Sequence, residues 1–207
     1  MKRTVKVLAV DPGAHRIGYA RVELELDEEA RSARFRAIEF GTLLAQEPAT
    51  RQTLFEMVVE ADWVVVEEVR TRAPKERQHP EKERSLREAQ RWYNRVLEWG
   101  RAGQKEVLVM PGFTGGANRR YYTTWKEAFV GVPMPTDLRI IREVEDLFGI
   151  PLIGEVDDLE VERAVIRELI DPAEALGMAV VAVRDEIAPG YKVHYRFDIE
   201  PVKGGKK

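Results

Sequence analysis

Four acidic positions carry the chemistry that this sequence offers. Asp11 ends the apolar run at 4–10 and is followed at once by Pro12-Gly13; Glu67-Glu68 closes the run Trp63-Val64-Val65-Val66; Asp171 and Glu174 open the apolar segment 175–183. Carboxylates are hard oxygen ligands of the kind that Mg²⁺ and Mn²⁺ prefer. Two such ions about 4 Å apart activate water and stabilise the leaving oxygen in phosphodiester hydrolysis, a centre that needs about four carboxylates. Asp11, one of Glu67 or Glu68, Asp171 and Glu174 supply them, from three separate stretches of chain.

Each acid also has a plain structural explanation. Asp-Pro-Gly is a common turn sequence. Asp171-Pro172-Ala173-Glu174 fits a helix start, with Asp171 as cap, Pro172 at the first helical position and Glu174 closing a capping box. Glu67 and Glu68 are what strand ends carry where they reach water. The conjunction of the four, in this order along the chain, favours the metal centre.

The elements that must position these acids are legible from hydrophobic period. The run 4–10 reads as a buried strand; 16–26 and 34–44 alternate polar and apolar residues across a polar turn at Asp27-Glu28-Glu29, which predicts a three-stranded antiparallel meander. Leu54, Met57, Val58 and Ala61 follow helical spacing, and the Val-rich run 63–67 then reads as a strand parallel to the first. Over 80–100, Leu86, Ala89, Tyr93, Val96 and Leu97 form one helical stripe, while Arg84, Arg87, Arg91 and Arg95 gather on another face. A strand at 106–110 follows, then an acid-free loop at 113–125, helices at 136–148, 159–170 and 173–184, a strand-like piece at 191–199 and a tail expected to be disordered from 200 to 207. The expectation is one α/β domain over 1–207, a mixed five-stranded sheet (the meander plus parallel strands) with helices on both faces.

Composition narrows the class. With 207 residues and 44% hydrophobic content, the chain can bury one sizeable core without staples. It has no cysteine, which excludes disulfides, thiolate metal sites and a cysteine nucleophile. No apolar stretch approaches the roughly twenty residues of a membrane span, and the start has no signal-peptide character, so a cytoplasmic, membrane-free protein is expected. The net charge of −3 hides an uneven distribution: residues 69–105 hold eleven Lys and Arg against five Glu, and residues 141–174 hold three Arg against eleven acids. His15, His79 and His194 lack metal-ligand spacing, and no serine-nucleophile motif is present.

Val7-Leu8-Ala9-Val10-Asp11-Pro12-Gly13, continuing through Arg16-Ile17-Gly18-Tyr19-Ala20, resembles the opening of RuvC-type Holliday junction resolvases, which have a ribonuclease H-like fold. Val66-Glu67-Glu68-Val69 is similar to that family's second acidic strand, with Glu67 aligned to its acid. Trp125-Lys126 with Gly131 resembles its basic segment, and Asp171-Pro172-Ala173-Glu174-Ala175-Leu176 its final Asp-x-x-Asp-Ala-Leu, with Glu in place of the last Asp. The resemblance implies that Asp11, Glu67, Asp171 and Glu174 hold two Mg²⁺ or Mn²⁺ ions and cut branched DNA, a four-way junction, as a homodimer. A ribonuclease H-like nuclease acting on RNA, hybrids or forks, and a non-catalytic DNA-binding protein of the same fold, are the alternatives.

Phosphate contact requires cations along a surface. The ridge Arg84, Arg87, Arg91 and Arg95 offers one line, although an Arg-rich solvated helix face is also ordinary. The stretch 113–126 adds Arg119, Arg120 and Lys126 to the stacking rings of Tyr121 and Tyr122. Arg70, three residues past Glu67, stands where some members of the family place an aromatic near the junction centre. The acidic helices over 141–171 are expected to face away from DNA, apart from the metal ligands.

Overall fold

A computed structural model of the chain describes residues 1–69, 80–111, 124–133, 135–153 and 159–197. Alternation builds its first three strands. In β1 (Lys2–Pro12), Val5, Val7 and Ala9 are buried in one apolar cluster and Leu8 and Val10 in another, on opposite sides of the sheet. β2 (Arg16–Asp27) and β3 (Ser32–Leu44) run back and forth beside it, both pairings antiparallel, with a register shift between Arg21 and Val22. The predicted meander is therefore present.

α1 (Pro48–Glu60) carries the chain across one face, so that β4 (Trp63–Glu68) lies parallel to β1 with Val10 opposite Val66. α2 (Pro80–Ala102) repeats the crossover, and β5 (Glu106–Pro111) pairs parallel with β4. Then come α3 (Trp125–Val130), α4 (Asp137–Phe148), α5 (Leu159–Ala182), a π-helical turn at Val183–Ile187 and β6 (Lys192–Phe197). The order across the sheet is β5-β4-β1-β2-β3-β6. α1 and α2 cover one face through Leu54, Val58, Trp92 and Val96; α3, α4 and α5 cover the other through Trp125, Phe129, Ile140, Val144, Leu176 and Ala179.

Two expectations need correction. Among the described residues the sheet has six strands, because Lys192–Phe197, within the expected 191–199 piece, joins it parallel to β3 with Phe35 opposite Tyr195. Its attachment is aromatic: Tyr195 packs 5.3 Å from Phe35 and 5.8 Å from Phe148, and Phe197 lies 5.4 Å from Phe40. Such ring pairs contribute about 0.5–1.5 kcal/mol beyond the area they bury.

The second correction bears on the acids. Residues 159–170 and 173–182 form one continuous helix, α5, with Pro172 inside it. Asp171 and Glu174 therefore do not cap a helix start. A proline in mid-helix removes one donor and ordinarily breaks or kinks the helix; here the carbonyl it leaves without a partner is satisfied from β2, as described below. No described helix is long and apolar enough to cross a membrane. Arg70, His79, Arg119, Arg120, Tyr121, Tyr122 and the 200–207 tail lie outside the described residues.

Candidate metal centre

Strand parity decides which acids meet. β1 and β4 are parallel neighbours in register, and the odd-numbered residues Ala9 and Val65 face α5 while Val10 and Val66 face α1 and α2. One step further on, Asp11 and Glu67 continue the odd set, so both carboxylates project toward α5 from the ends of adjacent strands. Glu68 belongs to the even set; on that side its charge pushes the Tyr93 hydroxyl of α2 upward in pKa, after burial as the larger cause. The register thus sets Glu67, and not Glu68, on the face shared with Asp11.

Glu174 comes from α5. Carboxylate oxygens of Asp11, Glu67 and Glu174 all lie within 4.8 Å of one another. Asp11 and Glu67 are half-buried, and Glu174 is 7% exposed. Gly177, one turn on, allows this close packing on the next helix: a Cβ there would stand 3.0 Å from the Phe129 ring and 3.1 Å from the Trp125 ring. Trp125 is fully buried, and its Nε1 donates to Glu67 Oε1 at 3.3 Å.

α3 supplies the cation. Thr124 caps it with a reciprocal box, its Oγ1 accepting from the Glu127 amide at 3.2 Å and Glu127 Oε2 accepting from the Thr124 amide at 3.1 Å. That box fixes the first turn, from which Lys126 Nζ reaches Glu174 Oε1 in a short, charged hydrogen bond.

Among the described residues, acids outnumber cations at this site. Burial pushes the Asp11 carboxyl well above its usual range, and the charges of Glu67 and Glu174 add to that, with a hydrogen bond to Glu67. Burial likewise raises Glu174, against the pull of Lys126, to about 7. Burial alone would lower Lys126, but Glu174, Glu67 and Asp11 outweigh it and hold the ammonium above its ordinary value. Among the described residues, three acids and one lysine share this space, so a divalent cation matches both the donor set, all oxygen, and the charge balance of those residues.

Asp171 stands apart from this triad. Its carboxylate is engaged by Arg16 of β2, with Nε 2.8 Å from Oδ2, an ionic contact poorly aligned for a hydrogen bond. Burial raises its pKa, Arg16 opposes, and Asp137 of α4 adds to the rise. The basic ridge of α2 lies on the face of the sheet opposite that onto which Asp11 and Glu67 project. Arg87 pairs with Glu83 at 3.4 Å, Arg91 with Glu88 at 2.5 Å, Arg95 sits 4.9 Å over the Trp92 ring, and Arg84 is exposed. Trp125 and Arg16 enter the surroundings of the acids without a role assigned from sequence. Both stand in stretches that carry the resemblance, Arg16 in the opening run and Trp125 in the basic segment, but those stretches by themselves give neither side chain a task.

A mixed sheet with an antiparallel meander, parallel outer strands and carboxylates at the ends of β1 and β4 is a ribonuclease H-like arrangement. Among solved structures, RuvC from T. thermophilus in complex with a Holliday junction substrate matches with a TM-score of 0.51 at 16% identity, over 88% of this chain and 93% of that one. The yeast mitochondrial Holliday junction resolvase Ydc2 matches at a TM-score of 0.38 and 11% identity, over 88% and 82%. The chain has the RuvC fold. No family model and no curated protein matches the sequence.

Proposed function

We propose that this protein is a metal-dependent, structure-selective endonuclease that cuts four-way DNA junctions, working inside the cell as a homodimer. The observation that carries this reading is the meeting of Asp11, Glu67 and Glu174, from two strands and a helix distant in sequence, on a sheet of RuvC topology. Asp11, Glu67 and Glu174 would hold two Mg²⁺ or Mn²⁺ ions, with Asp171 as the fourth carboxylate one turn earlier on α5. Bound there, the ions supply an activated water and charge stabilisation for phosphodiester hydrolysis.

The chain's own groups do the rest. Trp125 orients the Glu67 carboxylate through its indole N–H and keeps bulk water from one side of the site. Lys126 neutralises Glu174 until the site is filled and is then free to face a phosphate oxygen. Arg84, Arg87, Arg91, Arg95, Arg70, Arg119, Arg120, Tyr121 and Tyr122 are proposed to grip the junction arms beyond the centre.

Asp11→Asn removes one charge without changing shape. Cleavage of a labelled four-way junction with Mg²⁺ or Mn²⁺ is expected to vanish, while junction binding in a gel-shift assay stays within a few-fold. Wild-type preference for an RNA–DNA hybrid over junction, fork and duplex DNA in the same panel would replace the substrate assignment. Retained cutting by Asp11→Asn would remove the site assignment.

A further inference from the structure

Pro172 has no N–H, so the carbonyl of Glu168, four residues earlier, loses its helical donor. The structure supplies another. Arg16 Nη2 donates to Glu168 O at 3.0 Å, and the same guanidinium presents Nε to the Asp171 carboxylate at 2.8 Å. Its Nη2 also reaches Thr42 Oγ1 of β3 at 3.4 Å, which anchors the side chain to the sheet. Two residues on, Gly18 leaves room for the helix itself: a Cβ there would stand 2.2 Å from the Asp171 carbonyl oxygen. β2 thus grips α5 at the proline by two charged contacts and one bare backbone, within the turn that precedes Glu174.

We propose that Arg16 is a positioning residue, a clasp that replaces the hydrogen bond deleted by Pro172 and fixes the direction in which α5 delivers Glu174 to Asp11 and Glu67. The clasp is local to the acids because Arg16 starts the strand that follows the Asp11-Pro12-Gly13 turn. One residue therefore ties the loop beyond the first carboxylate to the helix that bears the third. Arginine suits the task because its planar fork addresses a carbonyl and a carboxylate at once, which the single ammonium of lysine does not.

The inference rests on the metal-centre reading only in its second arm. In the first arm, thermal unfolding is measured without metal or DNA for the wild type, Arg16→Ala, Pro172→Ala and the double variant. Arg16→Ala is expected to lower Tm by about 2–4 °C, the shift that accompanies loss of a roughly 1 kcal/mol contact in a chain of this length. In the Pro172→Ala background, where residue 172 has its own N–H for Glu168, the loss should shrink to less than half. Equal losses in both backgrounds would overturn the clasp.

In the second arm, calorimetric titration with Mn²⁺ is expected to show about 3- to 10-fold weaker binding in Arg16→Ala, intermediate binding in Arg16→Lys, and recovery in the Arg16→Ala/Pro172→Ala double variant. A merely stabilising residue would leave the affinity unmoved, and a competing counter-ion of Asp171 would raise it on removal; either result overturns the positioning role. Absence of Mn²⁺ binding in the wild type counts against the nuclease reading, while the unfolding cycle still decides whether Arg16 replaces the proline's missing donor.

Discussion

Two glutamates of this protein are equally hidden and face opposite surroundings. Glu145 of α4 is 8% exposed and Glu174 of α5 is 7% exposed. Glu145 accepts from the backbone amides of Leu152 and Ile153, both at 2.7 Å, and from Arg142 at 2.6 Å. Burial works against its charge, but these donors outweigh burial and hold its carboxyl below the usual value. Glu174 has one lysine, two acidic neighbours and a carboxyl raised to about 7. A buried acid with a full set of donors is structural: it fastens the chain after α4 onto the helix. A buried acid without them stores repulsion that a cation relieves.

The largest test exchanges the two fates. Glu174→Gln is expected to reduce junction cleavage on the order of a hundredfold or more, at about 1.36 kcal/mol per decade of rate, while metal-free Tm holds or rises because one of the crowded charges is gone. Glu145→Ala should leave the cleavage rate per folded molecule nearly unchanged. Its stability should fall by about 2–4 kcal/mol, since two backbone amides lose their acceptor and Arg142 its partner. Single-turnover cleavage and thermal unfolding, run on both variants, read the contrast directly. A Glu145→Ala protein as stable as the wild type would erase it.

Protons and metal sharpen the comparison at somewhat smaller scale. Asp11 and Glu174 hold protons in the folded, metal-free chain at pH values where the unfolded chain has released them. Stability without metal should therefore fall as pH rises from about 4.5, the ordinary glutamate value, through about 7. Glu145 has the opposite sign: its contribution is complete above the unfolded value and is lost only as pH falls through its lowered folded value. Mn²⁺ binds the deprotonated carboxylates, so its stabilisation should be greater at pH 8 than at pH 5, approaching about 2.7 kcal/mol at a hundredfold excess over Kd. Differential scanning fluorimetry across pH, with Mn²⁺ and with chelator, reads both slopes. A metal-free Tm that climbs from pH 5 to 8 would contradict the repulsive centre.

Periodicity made most of this architecture visible in the sequence. The meander of β1 to β3, the parallel placement of β4, and α1, α2 and α4 all follow from runs whose local pattern agrees with their tertiary role. Where pattern and role part, expectation failed. Asp171-Pro172 reads as a helix start because proline favours the first turn, and only a distant residue, Arg16, makes the interior position tolerable. β6 was legible as a strand, but its seat beside β3 is set by rings of Phe35, Phe40 and Phe148 that no local window contains. The stripe assigned to α2 included Tyr93, Val96 and Leu97 correctly and missed Trp92, 5% exposed, which packs in the same cluster and carries Arg95 on its face.

The smallest expected effect probes the finest distinction, two glutamates adjacent in sequence. Strand parity sends Glu67 to the face shared with Glu174 and Glu68 to the face shared with Tyr93. Both residues are half-buried at the end of the same strand, so exposure does not separate them. Glu67→Gln removes a member of the triad and the charge on the acceptor of the Trp125 indole, and should behave like Glu174→Gln. Glu68→Gln should change cleavage by about twofold or less and stability by at most about 1 kcal/mol, the range of an ionic contact near the surface. Its visible signature is elsewhere: with the carboxylate gone, the Tyr93 phenol should ionise at lower pH, which an absorbance titration of tyrosinate, compared with the wild type, follows. Equal loss of activity in the two variants would mean that β4 does not hold the register on which the whole carboxylate assignment stands.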